Sequence, residues 1–180
     1  MNICVFGAAS DKADKIYASE TEKLGYEMAK RGFGLVYGGG ATGMMGAIAR
    51  GVKSGGGYVH GVAPRYFDTP GILWKESDKF TFTDTIRERK QIMEEDSAAF
   101  IMTPGGVGTF EEFFEILTLS NLGRHKKPIA IYNIAGYFDT IVELIDKGVK
   151  EGFIGADIYG DFNIFTDPEE LLDYIANNLK

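Results

Sequence analysis

Short apolar runs alternate along this chain with segments whose apolar positions recur every three to four residues, and glycine marks most of the junctions. The runs at 2–6, 35–37, 58–62, 80–83, 98–102, 128–132 and 163–165 are short and mostly apolar, which predicts strands. Residues 16–31 carry Tyr17, Leu24 and Met28 as a stripe and are followed by Gly32, which predicts a helix with a C-terminal glycine stop. A second helix follows the glycines of 38–46 and runs to about residue 54, where Gly55, Gly56 and Gly57 turn the chain. Residues 86–96, the apolar-rich 113–122, and 138–151 with Ile141, Leu144, Ile145 and Val149 on one side predict three more helices. Asp167 as N-cap and Pro168 at the first helical position open a terminal one. Residues 63–79, with Pro64, Pro70 and the only tryptophan, Trp74, follow neither period and are expected to form an active-site loop or lid.

Strands too apolar to have one wet face, alternating with helices, predict an α/β fold: a Rossmann-like, doubly wound, mainly parallel sheet with helices on both faces. Neither a repeat nor a linker interrupts the pattern, so residues 1–180 are expected to form a single nucleotide-binding domain. In such a fold ligands bind beyond the carboxyl ends of the strands. Composition narrows the ligand. The formal net charge of -7 argues against a broad grip on nucleic acid or an anionic membrane, so any phosphate must be held by local donors. One cysteine, Cys4, leaves no internal disulfide or Cys-rich metal site; in a strand it reads as a core residue. Two histidines, His60 and His125, are too few for a convincing zinc site. The first residues enter a strand pattern directly, without a signal-like or membrane-spanning stretch, and the cytoplasm is the expected compartment.

Two glycine loops carry the candidate chemistry. Pro104-Gly105-Gly106-Val107-Gly108-Thr109-Phe110-Glu111-Glu112 follows one strand run and leads into a helix. Glycines bring backbone N–H groups close to a ligand, and the first helical turn adds donors suited to phosphate. The loop 38–46 has the same logic and contains G-x-G-x-x-G as Gly38, Gly40 and Gly43. It lacks the acidic residue that a dinucleotide site places about 20 residues on, and neither loop has the Gly-Lys-Ser/Thr of a P-loop. The pattern therefore favours a small phosphorylated ligand over NAD or a triphosphate. Thr109-x-x-Glu112 also fits a capping box, which would make Glu112 a structural residue. Chemistry and capping stand as alternatives for it at this point.

The helix at 86–96 bears on that choice. Ile86, Arg89, Lys90 and Met93 fall at i, i+3, i+4 and i+7 and share the face that should turn inward, while Glu88, Gln91 and Glu95 face water. Inward cations need an anionic partner: a ligand phosphate, an active-site glutamate, or an internal ion pair with Glu112 or another acid, unless their stems carry them outward.

With these residues assembled, the chain resembles the Lonely Guy family, cytokinin riboside 5′-monophosphate phosphoribohydrolases that are also labelled lysine decarboxylases. The signature P-G-G-x-G-T-x-x-E is complete at 104–112, the arginine-lysine pair matches Arg89-Lys90, and the G-G-G-x-x-G-x-M-G loop matches 38–46; the likeness extends from the first strand through Gly136 and Tyr137. No lysine is marked as a holder of pyridoxal phosphate. The resemblance implies hydrolysis of the N-glycosidic bond of a nucleoside 5′-monophosphate, AMP or its N6-prenylated form, with no metal or redox cofactor. It implies catalytic roles for Arg89 and Glu112, phosphate binding by Lys90 and by Gly105, Gly106, Gly108 and Thr109, and ribose contacts from Glu111. Gly39, Gly40, Thr42 and Ser10 are further substrate-binding candidates. It also implies a homodimer, with neither nucleic acid nor membrane as partner. The chain departs from plant members at Arg87 and in the loop 66–80, near Asp68, Gly71 and Glu76, where a base would be recognised. A non-catalytic nucleotide-like ligand carrier, akin to the molybdenum-cofactor carrier proteins, is the alternative.

Overall fold

The strand runs pair into one sheet. The computed structural model describes residues 1–179. Its strands are β1 (Asn2–Phe6), β2 (Gly34–Tyr37), β3 (Val59–Pro64), β4 (Lys79–Thr83), β5 (Ala99–Met102), β6 (Ile129–Tyr132) and β7 (Asn163–Phe165). All neighbours are parallel, in the order β4-β3-β2-β1-β5-β6-β7. The helices are α1 (Lys15–Lys30), α2 (Gly43–Ser54), α3 (Ile86–Glu95), α4 (Val107–Asn121), α5 (Asp139–Lys150) and α6 (Pro168–Asn178). None of the described helices is long and apolar enough to cross a membrane.

Successive strand residues point to opposite faces, and each face has its own core. Ile3 and Val5 of β1 pack with Leu24 of α1, Ile48 of α2 and Leu171 of α6. Cys4 and Phe6 pack with Met93 of α3, Phe113 of α4 and Ile145 of α5. This double covering is why the strands read as mostly apolar runs. Cys4 is fully buried, and burial pushes its thiol well above the usual range, as befits a core residue.

Local signals set the helix ends. Gly32, at φ 80°, lets Phe33 N–H return to Met28 O at 2.9 Å and closes α1. Asp167 caps α6 by accepting from Glu169 and Glu170 N–H, with Pro168 at the first turn. A capping box does form in the chain, but at α3: the Thr85 hydroxyl accepts from Glu88 N–H, and Glu88 accepts from Thr85 N–H.

The segment expected as a loop or lid is a fixed strap. The strand predicted at 58–62 continues to Pro64, a short 3-10 turn covers Arg65–Phe67, and the rest is tied to the first glycine loop. Trp74 N–H donates to Gly39 O and Ala41 N–H to Ile72 O, both at 2.9 Å, and Gly40 forms an antiparallel bridge with Leu73. The strand order reverses at β1, which lies between β2 and β5, so the loops leaving β1 and β5 run to opposite faces and open a crevice between them.

Candidate active site

Three loops converge on that crevice. The loop after β1 is joined to the loop after β5 by Ala8 N–H donating to Pro104 O at 3.2 Å. Thr103 strengthens the join, its hydroxyl donating to Phe6 O at 2.8 Å. The loop after β2 brings Gly38 to the same place.

Helix α4 begins at Val107, three residues earlier than a capping box at Thr109 requires. Gly106 is its N-cap and makes no side-chain capping bond, and the first helical backbone bond runs from Phe110 N–H to Gly106 O at 3.0 Å. Thr109 and Glu112 therefore do not cap this helix, and the capping reading of Glu112 is corrected. The N–H groups of Val107, Gly108 and Thr109 have no carbonyl within the helix to bond, and this end of α4 is open to solvent at Gly106, Val107 and Gly108. Packing explains only one of the loop glycines. A Cβ on Gly105 would lie 2.1 Å from Thr109 Oγ1, whereas a Cβ on Gly106 or Gly108 would meet open space. Neither Gly106 nor Gly108 has a positive φ. What keeps these two positions small is not the rest of this chain.

Arg89 and Glu112 meet at the floor of the crevice. Arg89 donates from Nη2 to Glu112 Oε1 at 2.8 Å, with the two side chains 13% and 10% exposed. Gly38 makes room for the guanidinium: a Cβ there would lie 2.3 Å from Nη2. The arginine thus connects the first glycine loop to the helix of the second. Its Nε–H is buried and has no hydrogen-bond partner among the described residues. An orphaned donor on a buried cation is costly and asks for an acceptor. Burial raises the Glu112 carboxyl above the ordinary carboxylate range; Arg89 opposes this, while Glu111 adds to it. The expected inward cations are therefore real, and of the open alternatives an internal ion pair is what partners Arg89.

Lys90 is partnered as well. Its amine contacts Glu111 and lies 2.6 Å from Glu115 Oε2, and it is held above the usual lysine range by these two carboxylates against the effect of burial. The lysine expected at a phosphate is thus already neutralised by α4. Glu111 and Glu115 stand four residues apart on one helix face, a spacing legible in the sequence but not used there. Gly39 and Gly40 are occupied by the strap, Gly39 also lying against the Phe80 ring. The Thr42 hydroxyl donates to Ala9 O at 2.6 Å. Ser10 and Thr42 line a separate cleft of about 230 Å³ beside Arg50 and Lys15, away from the Arg89–Glu112 pair. Of the twelve residues expected in the site, Arg89, Lys90, Gly105, Gly106, Gly108, Thr109, Glu111 and Glu112 come together; Gly39 and Gly40 are tied to the strap, and Thr42 and Ser10 belong to the separate cleft. One residue of the cluster was seen only as part of a match: Tyr137, whose hydroxyl donates to Gly105 O at 2.6 Å.

Together these groups provide an uncapped helix start for an anion and, further along the same helix, a buried carboxyl beside a guanidinium. Such a carboxyl stabilises a cationic centre or takes a proton from water.

A family model described as "Possible lysine decarboxylase" matches residues 45–175. The chain is 42% identical over 155 residues to a protein of Oryza sativa subsp. japonica named "Probable cytokinin riboside 5′-monophosphate phosphoribohydrolase", covering 86% of this chain and 70% of that one. It is 40% identical over 152 residues to a cytokinin riboside 5′-monophosphate phosphoribohydrolase of Arabidopsis thaliana, covering 84% and 71%. Among solved structures, the molybdenum cofactor binding protein of the phototrophic bacterium Rippkaea orientalis superposes with a TM-score of 0.75 at 20% identity, over 99% of this chain and 97% of that one. The molybdenum cofactor carrier protein of Chlamydomonas reinhardtii gives 0.70 at 22%, over the same shares. At such identities the likeness is one of fold.

Proposed function

The chain belongs to the Lonely Guy family, the group behind that family model and those plant enzymes, and we propose that it hydrolyses the N-glycosidic bond of a nucleoside 5′-monophosphate. The products are the free base and ribose 5-phosphate. The observation that carries this reading is the buried Arg89–Glu112 pair, whose glutamate stands on the same helix as the uncapped first turn.

Glycosidic cleavage builds positive charge on the sugar carbon C1′. The Glu112 carboxylate faces that charge and orients the attacking water. Water adds its oxygen to C1′, the electrons of the C1′–N bond leave with the base, and the proton lost by water passes through Glu112 to a base nitrogen. Arg89 holds its proton too firmly to act as the acid; it directs hydrogen bonds to the departing base or the phosphate, with its free Nε–H as a ready donor. The amides of the 105–109 loop bind the 5′-phosphate at the start of α4, with Gly106 and Gly108 leaving space for its oxygens. Lys90 holds Glu111, which accepts from the ribose hydroxyls.

The names of the plant relatives support a cytokinin riboside 5′-monophosphate as substrate, and plain AMP is the simpler nucleotide of the same class. A homodimer in the cytoplasm completes the reading: Phe114 of α4 and Leu122 just beyond its end share an open apolar cleft of about 270 Å³ with Phe153, a suitable face for a second copy. The carrier alternative rests on the fold likeness alone, and a carrier has no use for a carboxylate at C1′.

Incubation with AMP, GMP, CMP and N6-isopentenyl-AMP, followed by chromatography for free base, tests the proposal. The expected result is base release from an adenine nucleotide, lost in Glu112→Gln with the fold intact. Binding of these nucleotides without turnover of any would overturn it in favour of the carrier.

A further inference from the structure

We propose that Tyr137 is a positioning residue that fixes the direction of the phosphate-binding amide of Gly106. The inference rests on the reading of the 105–109 loop as the phosphate site. In a planar trans peptide the carbonyl of one residue and the N–H of the next point in opposite directions. The Tyr137 hydroxyl donates to Gly105 O at 2.6 Å and fixes the direction of that carbonyl. The N–H of Gly106, the N-cap residue at the solvent-open start of α4, is thereby turned away from Tyr137. A Gly105-Gly106 peptide bond carries no Cβ on either side, so local sterics do little to prevent it from rotating end over end. The tyrosine hydroxyl supplies the restraint that the glycines give up.

The turn that presents Tyr137 is built to hold it. Ala135 sits at φ 51°, a left-handed conformation uncommon for a residue with a side chain, and Gly136 follows at φ 72°. Asn133 clamps the turn from the inside, accepting from Phe138 N–H at 2.8 Å and donating to Asp139 Oδ1 at 2.7 Å. The Tyr137 ring is packed edge-on by Phe138 at 5.0 Å and by Tyr17 of α1 at 5.6 Å. These contacts need only the ring. The hydroxyl has one bond, and it goes to the loop.

The test compares the intact protein with Tyr137→Phe and with Tyr17→Phe, which removes a hydroxyl from the packing partner. Calorimetric titration with ribose 5-phosphate and with adenosine is combined with steady-state kinetics on the nucleotide that the protein turns over. Loss of one neutral hydrogen bond predicts about fivefold weaker ribose 5-phosphate binding and a KM raised about fivefold in Tyr137→Phe, with kcat held within about twofold. Adenosine binding stays unchanged, the thermal midpoint falls by no more than the few degrees that one hydrogen bond is worth, and Tyr17→Phe behaves as wild type throughout. Equal ribose 5-phosphate affinity in Tyr137→Phe and wild type overturns the inference alone. A fall in kcat without a rise in KM, or an equal loss for adenosine, also overturns it. Failure of the wild type to bind ribose 5-phosphate or to release base overturns the functional reading, and this inference with it.

Discussion

Arg89 Nη2 lies 2.8 Å from Glu112 Oε1, and burial raises this carboxyl above the ordinary carboxylate range against the opposing pull of the arginine. The arginine holds the carboxyl group in place. Replacing either member should remove most of the turnover. Glu112→Gln and Arg89→Lys are each expected to lower kcat by about 10²- to 10³-fold, the usual effect of deleting a preorganised charge or donor. Circular dichroism showing a native fold, with base release measured by chromatography, checks both.

The raised carboxyl gives opposite pH signatures in activity and in stability. Chemistry needs the carboxylate, so kcat should fall as pH drops through a value above the ordinary glutamate range of about 4.3. Stability runs the other way. A group raised in the folded state favours folding below its unfolded value, and this contribution is lost as pH rises through the folded value. Thermal midpoints measured across pH should show this slope in wild type and lack it in Glu112→Gln.

The loop glycines separate folding from binding. Gly108→Ala puts a Cβ into open space in the first turn of α4, where alanine is favoured by up to about 1 kcal/mol, so the thermal midpoint should hold or rise. Its KM for the nucleotide should nevertheless increase, as should that of Gly106→Ala. Gly105→Ala should instead destabilise, because its Cβ collides with Thr109. A matching loss of stability at 106 and 108 would contradict the assignment of these positions to the ligand.

The exposed apolar face makes a prediction about assembly. Phe153 is 89% and Leu122 66% exposed, both on the cleft beside Phe114. Light scattering should give twice the 19.8 kDa chain mass for wild type and the single-chain mass for Phe153→Asp combined with Leu122→Asp.

The order of elements was legible because the signal is the physics: strands buried on both faces must be mostly apolar, and inward helix faces must repeat. The Arg89–Lys90 face was legible for the same reason, since cations embedded in the stripe of Ile86 and Met93 demanded acids. The choice between capping and chemistry at Glu112 was not legible, because the T-x-x-E pattern occurs at both 85–88 and 109–112 and only the helix start after Gly106 decides between them. The strap was not legible at all. Its bonds to Gly39 and Ala41 join backbone to backbone between irregular segments and leave no period in the side chains. Tyr137 escaped for a related reason: its partner is a carbonyl, which any residue at 105 would supply.

The placement of Glu112 on the same helix as the turn proposed to bind the phosphate makes α4 a ruler. Five residues separate Val107 from Glu112, a rise of about 7.5 Å along the axis. The span is set by helix geometry, not by a flexible linker, so it cannot stretch to suit the ligand. On the proposed reading, a nucleotide seated by its phosphate presents its sugar carbon to the carboxylate only when that phosphate lies at about this distance from it. Selection for a 5′-monophosphate over a free nucleoside or a longer phosphate chain thus becomes a matter of length, read by the backbone before any side chain inspects the base.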